Sequence, residues 1–251
     1  GIKMFSLYNG LLGGYYTMTK EQRDTLETMK VKDKKWRPKH LLGVNLCWRR
    51  ATRDCINCLV VNKIIQLEQK AKNRLVCESY INEKNKVIQQ KKLYDIWVWD
   101  GTDNVVKCKL TADANGDSYY NNQDFYVSGI EEGEEGMKIT LTDEITDEEV
   151  EIGRESLYKH FDYGYAITIH RAQGSTIDKE YSINDWTDMN GREANALKYV
   201  AVSRTDSSSN VKIVPSISNY TPMIMKGKDR VFDRVAMLKA IAEGKWFPSQ
   251  K

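Results

Sequence analysis

The stretch Tyr165-Ala-Ile-Thr-Ile-His-Arg-Ala-Gln-Gly-Ser-Thr-Ile177 decides how this chain reads. Its first five residues, Tyr165–Ile169, are mostly apolar and β-branched, which predicts a buried strand. The polar groups then arrive together at the strand's carboxyl end. In open α/β sheets that end is where ligands bind. Thr168, His170, Gln173, Ser175 and Thr176 offer donors there, and Gly174 lets a backbone come close to a ligand. Hydroxyls and free backbone N–H groups suit phosphates. Physics alone leaves two readings level: a phosphate site, or a strand–loop–helix with incidental polar residues.

On either side of this stretch, strands and helices alternate. Tyr181–Ile183 predicts a short strand, Glu193–Val202 a helix, and Val211–Val214 a strand closed by Pro215. Val231, Val235, Leu238 and Ile241 share one face of a helix predicted over Arg230–Glu243, with Gly244 as its stop. Upstream, Leu41, Leu42, Val44, Leu46 and Trp48 form an apolar run that predicts another strand. Ile56, Leu59, Val60, Ile64 and Leu67 then recur at helical spacing. Thr19 and Gln22 form a capping box for a helix over Lys20–Lys30, whereas Leu11–Gly14 should break any helix before it. Residues 80–157 differ. Val87, Ile88, Ile96, Val98, Val105, Val106, Phe125, Val127, Ile139, Leu141, Val150 and Ile152 come in short runs, separated by turn signals at 100–101, 115–116 and 136–137. They predict a small antiparallel β insert within one α/β domain formed by 40–79 and 158–251, with 1–39 as the tail of a preceding domain or a linker.

The chain has 251 residues, of which 41% are hydrophobic and 29% charged, with only 4 Pro and 16 Gly. That composition excludes disorder as the main state, and no apolar run approaches the roughly 20 residues a bilayer needs. No charged-then-apolar leader is visible at the start. The net charge of +3 hides an asymmetry: residues 1–109 carry 22 Lys+Arg against 11 Asp+Glu, and residues 110–160 carry 3 against 14. A basic stretch is either a solvated surface or a polyanion footprint. The acidic block around Glu131, Glu132, Glu134 and Glu135 reads as a solvent-facing turn. The five cysteines, Cys47, Cys55, Cys58, Cys77 and Cys108, are odd in number and point to free thiols in a reducing intracellular compartment. Cys55 and Cys58 form a lone CxxC with no second pair. The histidines, His40, His160 and His170, stand at no finger-like spacing from it, so core cysteines are the better reading and no metal site is expected.

Three segments together carry a resemblance. Residues 165–177 are similar to motif V of superfamily 1 helicases, closest to the RecD-like, Dda-like branch that moves 5′ to 3′ on single-stranded DNA. Tyr199-Val-Ala-Val-Ser-Arg-Thr205 resembles their motif VI, and Leu46-Cys-Trp-Arg-Arg-Ala-Thr-Arg-Asp-Cys-Ile-Asn57 their motif IV. The three occur in family order, and that branch inserts a small SH3-like β domain between motifs IV and V. The resemblance covers about residues 40–245, with an affinity to helicases of large DNA viruses, and would place the protein in the nucleus, the cytoplasm or a virus factory.

The resemblance implies a RecA-like (P-loop NTPase type) α/β fold and roles for named residues. Arg204 would be the arginine finger on the nucleotide γ-phosphate, a task suited to a permanently charged fork. Gln173 and Gly174 would lie between nucleotide and nucleic acid. Thr168, His170, Ser175 and Thr176 would touch the nucleic-acid backbone. Arg49 or Arg50 would be the motif IV arginine near the phosphates, and Trp48 would stack on a base or adenine, or else belong to the core. The chain contains no GxxxxGK[ST] and no acidic motif II. The resemblance is therefore to the second half of such a motor. ATP and Mg²⁺ would be used by the full-length parent, with none bound by this chain alone, which is expected to be inactive. Its partners would be single-stranded DNA, with RNA read equally well through its backbone, and the missing N-terminal P-loop domain, but no membrane. The alternative is a non-catalytic nucleic-acid-binding adaptor, in which Trp97, Trp99, Tyr119 and Tyr120 form either a stacking platform or a barrel core. A scaffold built on the acidic block would explain none of the motif V residues.

Overall fold

A computed structural model describes residues 2–41, 43–67, 74–77, 80–81, 84, 86–88, 93, 95–98, 107–134, 136–191, 193–217 and 221–245. In chain order these form α1 (Ile2–Gly13), α2 (Lys20–Met29), β1 (Val44–Cys47), α3 (Arg50–Leu67), β2 (Arg74–Val76), β3 (Tyr80–Ile81), β4 (Val87–Ile88), β5 (Asp95–Trp97), β6 (Lys109–Ala112), β7 (Asp124–Gly133), β8 (Gly136–Asp143) and β9 (Glu149–Gly153). There follow α4 (Arg154–His160), β10 (Phe161–Tyr163), β11 (Ala166–Thr168), β12 (Tyr181–Ile183), α5 (Ala194–Val202), β13 (Val211–Ile213), β14 (Met223–Lys226), β15 (Asp229–Phe232) and α6 (Arg234–Ala242). They divide into two compact units, 1–59 with 166–251, and 60–165. The expected turn at Asp100–Gly101, the strand residues Val105 and Val106, and Trp99 lie outside the described residues.

The first unit is built on a four-stranded parallel sheet in the order β11-β1-β12-β13. Register explains its stability. Ile167, Leu46, Ile183 and Ile213 fall in one row across the strands, and Val44, Tyr181 and Val211 in another. Side chains alternate faces along a strand, so both rows point the same way. They meet Met4, Leu7 and Leu11 of α1, Leu26 and Met29 of α2, and Leu197, Ala201 and Val202 of α5 in one core. The row between them is polar: the Ser182 hydroxyl donates to Asn45 Oδ1 at 2.8 Å, and Asn184 Nδ2 donates to Ser182 Oγ at 3.0 Å. These groups are buried, and pairing offsets their desolvation.

Two expectations change here. Leu11–Gly14 does not prevent a helix: α1 runs through Leu11–Gly13, stops at Gly14 (φ 93°), and packs its Met4-Leu7-Leu11 face into the sheet core. The Thr19–Gln22 capping box is present. The helix expected over Arg230–Glu243 begins four residues later, where Asp233 caps α6, because Met223–Phe232 form the hairpin β14–β15 instead. Val235 is accordingly 75% exposed, and Met237 and Ile241 are the buried residues of α6. Gly244 does adopt the left-handed stop (φ 73°).

The second unit contains the antiparallel sheet β10-β6-β7-β8-β9. Cys108, Leu110, Phe125, Val127, Ile139, Leu141, Ile152, Leu157 and Phe161 close its core. The β7–β8 hairpin turns at Gly136 (φ 103°) and carries Glu131, Glu132 and Glu134 into solvent. Trp97 and Tyr119 are core residues, not a stacking platform, and only Tyr120 of the described candidates is exposed. This unit claims more of the chain than 80–157. Leu75, Cys77, Tyr158, Phe161, Tyr163 and Tyr165 all pack in its core, which moves the boundaries outward to 60 and 165. All five cysteines are buried and none is in a disulfide. Burial pushes the Cys55 and Cys77 thiols up to about 12, and among the described residues no cluster could hold a metal ion.

Candidate functional site

The carboxyl edge of the parallel sheet gathers the residues singled out by the sequence. After β11 the chain folds into successive tight turns. The Thr168 carbonyl accepts from the N–H groups of Arg171 (2.9 Å) and Ala172 (3.1 Å), and the Ala172 carbonyl accepts from Ser175 N–H (3.2 Å) and the Ser175 hydroxyl (2.7 Å). Gly174 takes φ 90°, a conformation that L side chains rarely adopt, and nothing lies within 4 Å of where a Cβ would stand. His170, Gln173, Gly174, Ser175 and Thr176 are all exposed, whereas Thr168 is half-buried at the strand end. The loop is therefore a backbone-stiffened shelf with its polar side chains outward.

Arg204 holds that shelf. Its Nη1 donates to the carbonyls of Ala172 and Ser175, both at 3.2 Å. Its Nε donates to the Val200 carbonyl at 2.8 Å, and its Nη2 to Ser203 Oγ at 2.8 Å. A guanidinium has five N–H donors, so these four bonds leave one free on a half-buried side chain. The Arg204 carbonyl accepts from Ile177 N–H at 2.7 Å, closing the far end of the loop. The structure thus brings together the two segments whose sequences stood out, 165–177 and 199–205.

The next segment is anchored by Tyr8, which the sequence did not single out. Its hydroxyl donates to the Thr205 carbonyl, and its ring meets Tyr199 edge-on at 6.0 Å. Burial, then the Asp206 carboxylate, raises its pKa.

Trp48, Arg49 and Arg50 follow β1 on the same edge. The Arg49 guanidinium lies 4.9 Å from the Trp48 ring centroid, and its Nη1 is 3.5 Å from Asp188 Oδ2. Trp48 is half-buried against the sheet core, while Arg49 and Arg50 are exposed. Beneath them sits Asp185, also unforeseen. It is fully buried, in the left-handed region at φ 62°, and accepts from Arg49 N–H (3.2 Å) and the Thr52 hydroxyl (3.0 Å). Its carboxylate therefore sits at the start of α3, where the helix dipole favours negative charge. Burial nonetheless outweighs these partners and raises its pKa. Asp188 also accepts from the Ser216 hydroxyl at 2.7 Å, which ties the ends of β1, β12 and β13 together. The signal for Asp185 was its place just beyond the strand Tyr181–Ile183; Tyr8 had none.

Neither a protein-family model nor a curated protein sequence matches this chain. Solved structures do. Pif1 helicase from Candida albicans aligns with 97% of this chain and 58% of its own length at TM-score 0.55 and 12% identity. Pif1 helicase from Bacteroides, in complex with ADP-AlF3 and ssDNA, aligns with 99% of this chain and 55% of its own length at TM-score 0.52 and 16% identity. The chain thus spans a little over half the length of these helicases. At such identities the likeness is one of fold: a mixed α/β architecture whose parallel sheet is similar to the RecA-like domain of Pif1 helicases.

Proposed function

We propose that this chain is the C-terminal part of an ATP-dependent DNA helicase of superfamily 1, of the RecD-like, Dda-like 5′-to-3′ branch and of large-DNA-virus type. Residues 1–59 with 166–251 would form its second RecA-like domain, and 60–165 its SH3-like insert. The observation that carries this reading is the bonding of Arg204 to the 172–175 loop. A side chain suited to phosphate is thereby mechanically joined to a loop whose exposed groups suit a nucleic-acid backbone. The solved Pif1 helicases supply the fold analogy, and one is in complex with a nucleotide analogue and single-stranded DNA.

The sequence holds no GxxxxGK[ST], so the main cradle for ATP and Mg²⁺ would come from another domain of the parent. When bound, ATP supplies the phosphoryl group whose transfer drives the motor. From this chain, Arg204 would offer its free N–H and could trade its Nη1 bonds for phosphate oxygens. Gln173 would add an amide, and Gly174 would permit close backbone approach. Thr168, His170, Ser175 and Thr176 would grip the nucleic-acid backbone. Arg49, rather than Arg50, already has fixed partners, so Arg50 is the freer cation for a phosphate. Releasing the 172–175 loop whenever Arg204 turns to phosphate would link the two ligands.

One observation favours a second reading, a non-catalytic nucleic-acid-binding adaptor: four of the five Arg204 donors are already used within the chain. The test is Arg204→Ala in the parent polypeptide. Loss of about 10³-fold or more in DNA-stimulated ATP hydrolysis, with single-stranded DNA binding largely kept, is expected of a finger. Unchanged turnover would replace the finger by the adaptor.

A further inference from the structure

The hairpin β14–β15 directly precedes α6. It is two-stranded, with no third strand beside it among the described residues, and such a ribbon is marginal alone. Its base is fixed by Asp233, whose N–H donates to the Pro222 carbonyl at 2.8 Å while its carboxylate caps α6. Beyond that base, residues 224–230 are all exposed, including Ile224 at 46% and Met225 at 61%. Gly227 (φ 63°) and Lys228 make the turn.

The exposed part of this ribbon carries three cations, Lys226, Lys228 and Arg230, against one carboxylate, Asp229. Lys226, Lys228 and Arg230 are exposed, and among the described residues none has a carboxylate within ion-pair distance. That holds even for Lys226, which stands in register with Asp229. Elsewhere Lys39, Lys138 and Lys159 pair with a carboxylate, whereas among the described residues the exposed Lys20, Lys32, Lys34, Lys35 and Lys239 do not, so the ribbon is distinguished by holding three such cations within five residues. Three unpaired cations on a narrow, solvent-projecting ribbon fit a polyanion. No exposed residue of the ribbon is aromatic, so it lacks the stacking surface by which proteins hold unpaired bases. A two-stranded ribbon does fit the major groove of a duplex, about 12 Å wide. The ribbon also follows the edge strand β13, whereas the 169–176 loop follows the opposite edge strand β11.

We propose that the β14–β15 hairpin is a duplex-DNA contact, in which Lys226, Lys228 and Arg230 engage the phosphate backbone separately from the single-strand loop. This rests on the nucleic-acid reading above. The test compares the 251-residue chain with its Lys226→Gln/Lys228→Gln/Arg230→Gln variant on a blunt duplex and on a single strand, over a salt series. Duplex affinity should fall about 10–100-fold at 0.1 M salt, and the log–log salt slope should flatten by up to about 2.7, at about 0.9 per phosphate contact. Single-strand affinity should hold. Lys226→Arg/Lys228→Arg should bind duplex as the wild type does. If the triple variant does not fold, Lys228→Gln alone, at the turn, should flatten the slope by about 0.9.

Unchanged duplex binding, or equal loss on both forms, overturns the proposal. So does loss of binding to phosphatidylserine–phosphatidylcholine vesicles with duplex binding intact, which would assign the ribbon to a lipid surface. A wild-type chain that binds neither nucleic acid fails at the earlier step and refutes the function proposed above.

Discussion

Replacing Arg204 by Ala should loosen one loop and little else. Counting its four bonds at the 1.5–3 kcal/mol of charge-assisted hydrogen bonds would suggest about 6–12 kcal/mol. The acceptors argue for far less. The Ala172 carbonyl keeps both Ser175 donors, the Val200 carbonyl keeps the Ser203 hydroxyl at 3.3 Å, and Ser175 is exposed, so water replaces its lost donor. With no carbonyl left buried and unpaired, the net cost should be about 1–2 kcal/mol. That is roughly a 5–30-fold change in an opening equilibrium, and a fall of about 2–8 °C in Tm. The Ile177 N–H bond goes to the Arg204 backbone and survives the substitution. Amide hydrogen exchange should therefore speed up at Ala172 and Ser175 but not at Ile177. Arg204→Lys, which keeps charge but not the fork, should resemble Ala in exchange. Protection unchanged at Ser175 would refute the brace, and equal acceleration at Ile177 would show general destabilisation instead.

Other residues give sharper stability readouts. Asn57 donates to the Ala166 carbonyl (3.2 Å) and accepts from its N–H (2.8 Å) in a buried setting, so Asn57→Ala should cost roughly 2–4 kcal/mol in denaturant unfolding. A cost under about 0.5 kcal/mol would mean that these backbone groups find other partners. Asp185 has a raised pKa, so in its folded setting it favours the protonated form, and the stability it contributes is lost as pH rises from its ordinary 3.8 through the raised value. Asp185→Asn, which tolerates the positive φ, should therefore be most costly at low pH and become less so as pH rises; a penalty that grows with pH would contradict this. Gly116→Ala would put a Cβ in steric clash with the ring of the buried Tyr119, and overpacking of that kind should cost about 1–3 kcal/mol by thermal melt. The five cysteines should resist a thiol reagent at pH 8 until the chain unfolds, and a fast-reacting thiol would contradict their burial.

What was legible in the sequence depended on whether the signal was local. Val44–Cys47, Tyr181–Ile183 and Val211–Ile213 were readable because a parallel strand is buried on both faces and advertises itself as an apolar run. The Thr19–Gln22 box was readable because both partners lie within one turn. The end of the β14–β15 hairpin is hidden in the sequence because Val231, Val235, Leu238 and Ile241 keep helical spacing. The turn at Gly227 and the cap at Asp233 override that spacing. Helix α1 is not legible because its two glycines lower its propensity, while tertiary burial of Met4, Leu7 and Leu11 restores it. The site follows the same logic. Arg204 and the 165–177 stretch stood out as residue types in order, but their connection runs through backbone carbonyls 29 and 32 residues away, and a carbonyl has no residue identity to read. Asp185 is joined to Thr52 across 133 residues. A sequence can therefore announce which side chains carry charge or donors, whereas what each one holds at rest is a property of the fold. For Arg204 that resting engagement decides the chemistry, since any phosphate must outcompete the loop carbonyls for the same guanidinium.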